Sequence, residues 1–86
     1  MTDQQKIYDW CDRQCRETDR SFCLVVVRKR PLPSSRWTPW NAMVKEWSDH
    51  SDDWQIFSTP YFPYRGFAEG STPEEAIAAL AKALNL

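Results

Sequence analysis

The chain has 86 residues and a mass of 10.1 kDa, with 42% hydrophobic, 14% aromatic and 27% charged residues. Because this length supports one small core, we expect a single domain spanning residues 1–86. No apolar run approaches the roughly 20 residues that cross a bilayer, and the formal charge of −1 argues against a dedicated nucleic-acid binder.

The cysteines indicate a reducing compartment. Cys11, Cys15 and Cys23 cannot all pair within one chain, and no export signal is recognisable. We therefore expect a cytoplasmic protein, in the host cell if the chain is phage-encoded. Residues 1–36 carry a formal charge of +3 and residues 37–86 a charge of −4. This asymmetry is compatible with two opposed charged faces or with an ordinary solvated surface.

The N-terminal segment is predicted to be a helix from Asp3 to Arg16 or slightly beyond. Thr2 and Gln5 have the spacing of a capping box, in which each side chain bonds an amide at the start of the helix. Apolar and small residues then recur on one helical face, at Ile7, Trp10, Cys11, Gln14 and Cys15.

A strand is predicted from Phe22 to Arg30. Its consecutive valines suit a central strand that is covered on both faces. The prolines at positions 31 and 33 remove amide donors and end it.

Residues 40–47 have two interpretations. Trp40, Met43, Val44 and Trp47 have helical spacing, and Thr38-Pro39 would start a helix well. We favour a strand over 40–47, because the polar residues 48–53 resemble a hairpin loop that leads to a second strand, Trp54 to Thr59.

The C-terminal third ends in a predicted helix. Residues 61–64 are expected to form an aromatic loop, and residues 66–70 a short edge segment. Thr72 is an N-cap, Pro73 occupies the first helical position, and Glu75 completes a second capping box.

These elements predict an α+β fold with the order α-β-β-β-α. The helices are N- and C-terminal, and the sheet is antiparallel with three strands, or four if residues 66–70 join it. Two helices on one face, or one helix on each face, would both satisfy this order.

Residues 66–71, Gly-Phe-Ala-Glu-Gly-Ser, precede an Ala-rich helix and resemble the end of a double-stranded-RNA-binding domain. That family opens its last helix with lysines that bind phosphates, whereas this chain has Pro73, Glu74 and Glu75 there. Because negative charge at this position repels phosphate, the RNA activity does not carry over.

A second resemblance covers about 30 residues. A Trp-bearing strand at 54–57 leads through Gly66-Phe67-Ala68-Glu69-Gly70-Ser71-Thr72-Pro73-Glu74-Glu75-Ala76 into an Ala/Leu helix. This ending resembles small phage-encoded proteins of the ABA-sandwich type, a shape shared by HicB-type antitoxins and several anti-CRISPR inhibitors. The resemblance implies a class only, a small accessory protein that acts by contact.

The sequence predicts no catalytic, metal or cofactor site. Cys11, Cys15, Cys23 and His50 make up a Cys₃His set, but their spacing is not that of a structural zinc site, and buried thiols are the better interpretation. Residues 48–51 contain the residue types of a hydrolase triad, but sequence neighbours in one loop point in different directions. The aspartates at positions 49, 52 and 53 lack calcium-loop spacing.

A basic cluster is the candidate for nucleic-acid contact. Arg28, Lys29, Arg30 and Arg36 lie close to aromatic residues, which suits single-stranded nucleic acid. The simpler interpretation is a solvated strand end followed by a proline loop.

The aromatic residues give the main functional hypothesis. Inward positions are natural for Trp10, Phe22, Trp54, Ile56 or Phe57, and Phe67. The remaining rings lie in or beside proline-bearing loops and, with an arginine, form the predicted partner-binding set: Trp37, Trp40, Tyr61, Phe62, Tyr64 and Arg36. The alternative is that these loops fold back over the open face of the sheet.

We therefore expect a non-enzymatic protein-binding module, encoded by a phage or mobile element, that inhibits a host protein or defence complex by occlusion. The most specific version of this hypothesis is anti-CRISPR-type inhibition. The alternative is a small nucleic-acid-binding protein that uses the basic cluster at residues 28–36.

Overall fold

The computed structural model describes residues 2–28, 39–59 and 62–86, with the backbone alone at 58–59 and 62–65. Its helices are α1 (Asp3–Thr18) and α2 (Pro73–Ala83). The strands are β1 (Phe22–Arg28), β2 (Trp40–Ser48), β3 (Asp53–Ile56), β4 (Ser58–Thr59), β5 (Phe62–Arg65) and β6 (Phe67–Gly70). The α+β class, with terminal helices around an antiparallel sheet, is confirmed.

The long strand β2 is the centre of the sheet. One of its edges pairs with β1, from Phe22 opposite Glu46 to Arg28 opposite Trp40. Its other edge pairs with β3 and then with β6, which lie end to end. The strand interpretation of residues 40–47 is therefore confirmed, as is the segment 66–70 as a fourth, edge strand.

The prediction that the first strand is central was wrong. Among the described residues β1 pairs only with β2, so it is an edge strand. Its run of valines is explained instead by the helices on one of its faces and by partial burial on the other. Residues 29 and 30, the predicted end of this strand, lie outside the described residues.

The predicted strand 54–59 is divided at Phe57. The pairing of β3 places Phe57 opposite Val44, and the pairing of β6 places Gly66 opposite the same residue. Both bonds form: the Phe57 amide donates to the Val44 carbonyl at 2.9 Å, and the Val44 amide donates to the Gly66 carbonyl at 2.7 Å. The hairpin of β4 and β5 is inserted between these two contacts.

The expectation of an aromatic loop at residues 61–64 was also wrong in part. Residues 62–65 form β5, which pairs with β4 in an antiparallel hairpin. Tyr61 lies outside the described residues. The expected loop between β2 and β3 is confirmed, because Ser48 pairs with Asp53 and a turn connects them.

Both helices begin at the predicted caps. The Thr2 hydroxyl accepts from the Gln5 amide at 3.1 Å, and the Thr72 hydroxyl accepts from the Glu75 amide at 3.1 Å. The Gln5 side chain donates to Asp9 instead of returning to the cap, so the first capping box is only half formed. At the second helix the Glu75 carboxylate accepts from the Ser71 amide at 3.0 Å.

Both helices cover the same face of the sheet, and this face holds the core. Alternate residues of the central strand, Ala42 and Val44, are fully buried there against Ile7 and Leu80. The rings of Trp10, Phe22 and Phe57 meet edge to face around this core, with centroid separations of 5.8, 5.3 and 5.7 Å.

Within the described part of the chain, neither helix has the length and apolar character needed to cross a lipid bilayer.

Candidate functional site

The face of the sheet opposite the helices is the candidate functional surface. Side chains alternate along a strand, so the neighbours of the core residues on β2 point to this second face: Asn41, Met43, Lys45 and Trp47. Cross-strand pairing adds Cys23, Val25 and Val27 from β1, Trp54 and Ile56 from β3, and Phe67 and Glu69 from β6. We call it the outer face.

The outer face has a closed half and an open half. Asn41 and Met43 are buried in the closed half, although both helices lie on the other side of the sheet. In the open half Trp54 is 36% exposed and Ile56 is 47% exposed. Apolar area therefore faces solvent at the end of the sheet that carries the β2–β3 turn. At the other end only the edge-strand residue Val27, at 38%, is comparably exposed among the described apolar residues of this face.

Two tryptophans form the centre of the open half. Trp47 and Trp54 are directly opposite each other on β2 and β3, and their rings meet at 5.5 Å with an interplanar angle of 74°. The Trp47 indole N–H donates to the Asp49 carboxylate at 3.1 Å, which fixes its ring. Lys45 lies opposite Ile56 and adds a positive charge to this apolar surface. We call Lys45, Trp47, Trp54 and Ile56 the outer patch.

A polar depression adjoins the outer patch. It has a volume of about 340 Å³ and includes Trp47 and Ile56 in its wall. Its other lining residues are polar or charged: Arg20, Glu46, Ser48, Asp49, His50 and Gln55. Arg20 and Glu46 form an ion pair there. An apolar platform with a polar rim is typical of a protein-binding surface.

Two polar side chains of the turn at residues 48–53 are bonded within or beside the turn. Asp49 is engaged by the Trp47 indole, and the Ser48 hydroxyl accepts from the Ser51 amide at 3.4 Å. These side chains therefore stabilise the turn. In the described ranges, no three histidine, cysteine or acidic side chains are grouped around a possible metal position.

Two of the cysteines, Cys11 and Cys15, lie on α1, and the third, Cys23, lies at the start of β1. Burial raises the pKa of the Cys11 thiol to about 12, and Cys15, Cys23 and Asp12 add smaller effects in the same direction. Burial also raises the pKa of Cys23. Because a nucleophilic or metal-binding cysteine needs a thiolate, these shifts favour the buried-thiol interpretation.

Of the predicted partner-binding residues, Trp40 is fully described. It begins β2 on the helix-covered side, is half-buried and packs against the core. Phe62 and Tyr64 lie on β5, where the backbone alone is described. Trp37, Tyr61 and Arg36 lie outside the described residues.

Of the predicted nucleic-acid contacts, Arg28 is described. It is exposed at the end of β1, directly opposite Trp40, and its guanidinium carbon lies 5.9 Å from the centroid of the Trp40 ring. This cation–π contact occupies a ring that the hypothesis would use for base stacking. Lys29 and Arg30 lie outside the described residues.

The outer patch was missed because its strand was assigned the wrong face. The sequence expectation placed Trp54 and Phe67 inward, with Ile56 or Phe57. The structure places Phe57 on the helix side, and Trp54, Ile56 and Phe67 on the outer face. The period-two alternation separates the two sets correctly. Which set faces the helices follows only from the pairing of Trp54 with Trp47. Trp47 lies on the outer face because the alternate residues of β2, Ala42 and Val44, are buried under the helices.

Comparisons of the chain with protein-family models, with characterised proteins and with solved structures found no match.

Proposed function

We propose that this chain is a non-enzymatic protein-binding module and that the outer patch is part of its binding surface. The observation that carries the proposal is the exposure of Trp54 and Ile56 on a sheet face whose open half neither described helix covers. Tryptophan contributes more binding energy per residue than most side chains because a large rigid ring is desolvated at little entropic cost.

The charges around the patch support a protein partner. Lys45 lies within it, and the acidic turn residues Asp49, Asp52 and Asp53 are at its rim. This mixture does not favour a polyanion, which needs a surface of one sign. It suits a protein surface with complementary charges around an apolar centre.

A narrower form of the proposal concerns the biological class. The resemblance of residues 54–80 to small phage-encoded accessory proteins supports a chain that blocks a host protein, with a nucleic-acid-guided defence complex as the sharpest version. In this form the protein acts by occlusion. The loop residues Trp37, Tyr61 and Arg36 would extend the contact beyond the outer patch.

The test compares binding by variants of the patch. The wild-type chain is immobilised, a partner is captured from host lysate and identified, and its affinity is measured with purified components. Trp54→Ala with Ile56→Ser should weaken binding at least about 100-fold, the effect of losing one or two hot-spot residues. Val27→Ala, an exposed valine on the same face outside the patch, is the matched control and should leave the affinity unchanged.

Two further measurements complete the test. Trp37→Ala with Tyr61→Ala reports whether the sequence-predicted loop residues also contact the partner. A salt titration separates the two classes of partner, because phosphate binding weakens steeply with salt and an aromatic-centred interface does not. Unchanged affinity of the Trp54/Ile56 variant, or a steep salt dependence with nucleic acid as the captured ligand, would refute the proposal.

A further inference from the structure

Among the described residues, the outward edge of β1 carries backbone groups without a partner. The Trp47 amide donates to the Ser21 carbonyl at 2.9 Å, which fixes the phase of the ladder between β1 and β2. In that phase Cys23, Val25 and Val27 direct their backbone groups to β2, whereas Leu24 and Val26 direct theirs away from it. Within the described ranges no group bonds to the amides and carbonyls of Leu24 and Val26.

One outward amide of this edge is already bonded. The Phe22 N–H donates to the Cys15 sulfur at 3.4 Å. This contact leaves Leu24 and Val26 as the free centre of the edge. The contact also identifies the side of α1 that lies next to the outward edge of β1, because the Cys15 side chain is directed to that edge.

An exposed aromatic residue lies on the same side of α1. Tyr8 precedes Cys15 by two helical turns, so both residues lie along one stripe of the helix. Tyr8 is 44% exposed. The free edge of β1 and an exposed ring therefore belong to one continuous surface.

The edge lacks the features by which proteins prevent strand pairing. Residues 22–27, Phe-Cys-Leu-Val-Val-Val, contain no proline and no charge, and their register with β2 has no bulge. Edge strands that remain single usually carry a lysine, a proline or a bulge. An apolar, regular edge is suited to pairing.

We propose that the chain forms a two-fold symmetric dimer in which β1 pairs antiparallel with β1 of a second copy, centred on Val25. In this register Leu24 of each copy lies opposite Val26 of the other, and all of their free amides and carbonyls are bonded. The residues that meet across the axis are apolar on both faces: Leu24 meets Val26, Val25 meets Val25, and Cys23 meets Val27. No like charges oppose each other within residues 22–28.

A second copy is the occupant that this surface fits. A stable interface needs roughly 800 Å² from each partner, more than a short strand edge supplies. A two-fold axis at Val25 also brings the two α1 helices side by side, so that Tyr8 is buried with the strand edge. An isolated peptide strand would pair with the edge but leave Tyr8 exposed. The outer patch lies near the opposite edge, and its function does not depend on the dimer.

Sedimentation of the purified chain tests the proposal. We expect a concentration-dependent monomer–dimer equilibrium. Val26→Pro should weaken the dimer at least about tenfold, because proline removes an outward donor and its ring blocks the edge. Ile56→Pro is the matched control, since Ile56 also directs its amide away from β2, but on the other edge of the sheet.

A variant on the helix separates weakened dimerisation from a loss of folding. Tyr8→Glu changes an exposed helix residue and should weaken the dimer without altering the circular dichroism spectrum. A chain that stays monomeric at about 1 mM, the weak limit of measurable association, overturns the proposal. A dimer that Val26→Pro and Tyr8→Glu both leave unchanged overturns it as well.

Cross-linking tests the register. With copper-phenanthroline as oxidant, Val27→Cys should give a disulfide-linked dimer through Cys23 of the second copy, because these residues are direct opposites in the proposed pairing. Cys23→Ser in the Val27→Cys background should abolish the cross-link. A dimer in solution without this cross-link, or a cross-link that persists after Cys23→Ser, contradicts the register centred on Val25.

Discussion

The Gly66 amide donates to the Phe57 carbonyl at 2.9 Å, and this bond closes the base of the β4–β5 hairpin. Both residues also bond to Val44 on the central strand. The hairpin therefore interrupts the outer strand without leaving Val44 unpaired. A Cβ on Gly66 would lie 3.1 Å from the Phe57 Cβ and 3.1 Å from the Val44 carbonyl oxygen, so glycine permits this three-way contact.

Substitution of Gly70 should be more damaging than substitution of Gly66. A Cβ at Gly70 would lie 2.4 Å from the Ala76 nitrogen, and this backbone atom belongs to α2. Helix and strand would have to separate, and we expect Gly70→Ala to lower the free energy of unfolding by about 2–3 kcal/mol. Gly66→Ala, where the Cβ contacts are tight but longer, is the comparison. Urea denaturation measures both, and an equal loss for the two variants would contradict the tight packing of α2 on β6.

The tryptophans should separate into core and surface residues. Trp10 packs against Phe22 and Phe57 beside the core, so we expect Trp10→Ala to lower the free energy of unfolding by about 3 kcal/mol. Trp54→Ala should lower it by less, because Trp54 is 36% exposed and the ring pair with Trp47 adds only about 0.5–1.5 kcal/mol to the burial of its remaining surface. The measurement is urea unfolding followed by circular dichroism. A larger loss for Trp54 than for Trp10 would show that the outer patch is part of the core.

Stability should fall in alkaline solution through Cys11. The folded-state pKa of its thiol is about 12, against 9.0 for the free thiol. Between these values the unfolded chain loses the proton and the folded chain keeps it, so the free energy of unfolding decreases as pH rises. For one group the slope approaches about 1.4 kcal/mol per pH unit. The full contribution is present below pH 9.

A variant without the Cys11 thiol separates the pH dependence caused by this group from that of the other titrating groups. Urea unfolding of wild type and Cys11→Val is followed at a series of pH values from about 8 to about 10.5. The wild type should lose stability more steeply than the variant. Parallel pH profiles would mean that the thiol is solvated in the folded protein.

Replacement of Asn41 should stabilise the protein. This side chain is 0% exposed, and among the residues that the structure describes neither its amide nitrogen nor its amide oxygen has a hydrogen-bond partner. Because an unsatisfied buried amide opposes folding, Asn41→Leu should raise the free energy of unfolding by about 1–2 kcal/mol. Asn41→Asp, which buries a charge at the same position, should lower it. Thermal and urea unfolding measure both, and a loss of stability with leucine would reveal a bonded partner for the amide.

The local signals in the sequence predicted the two helices and the strand over residues 40–47 correctly. The caps at Thr2 and Thr72 mark helix starts because a side-chain oxygen satisfies an amide that the helix itself cannot. The polar residues 48–53 indicated the hairpin between β2 and β3, and with it the strand interpretation of residues 40–47. Each of these signals depends on residues within one turn or one hairpin.

The predictions that failed concerned position within the sheet. The valines of β1 suited a central strand, yet this strand is at the edge among the described residues. Trp54 was expected on the inward face together with Ile56 or Phe57. The structure places Phe57 there, beside Trp10 and Phe22, and Trp54 and Ile56 on the other face. Composition reports how apolar a strand is, but not which neighbours bury it.

By itself, the sequence determined the elements of this protein: two capped helices and the strand over residues 40–47 with its polar turn, all encoded by local spacing. Only the tertiary structure decided that both helices cover one face, that the β4–β5 hairpin interrupts the strand opposite Val44, and that Trp54 and Ile56 face solvent. The reason is that a strand has two chemically similar faces here. Which one is buried depends on the register with β2, and that register is set by contacts between residues distant in the chain.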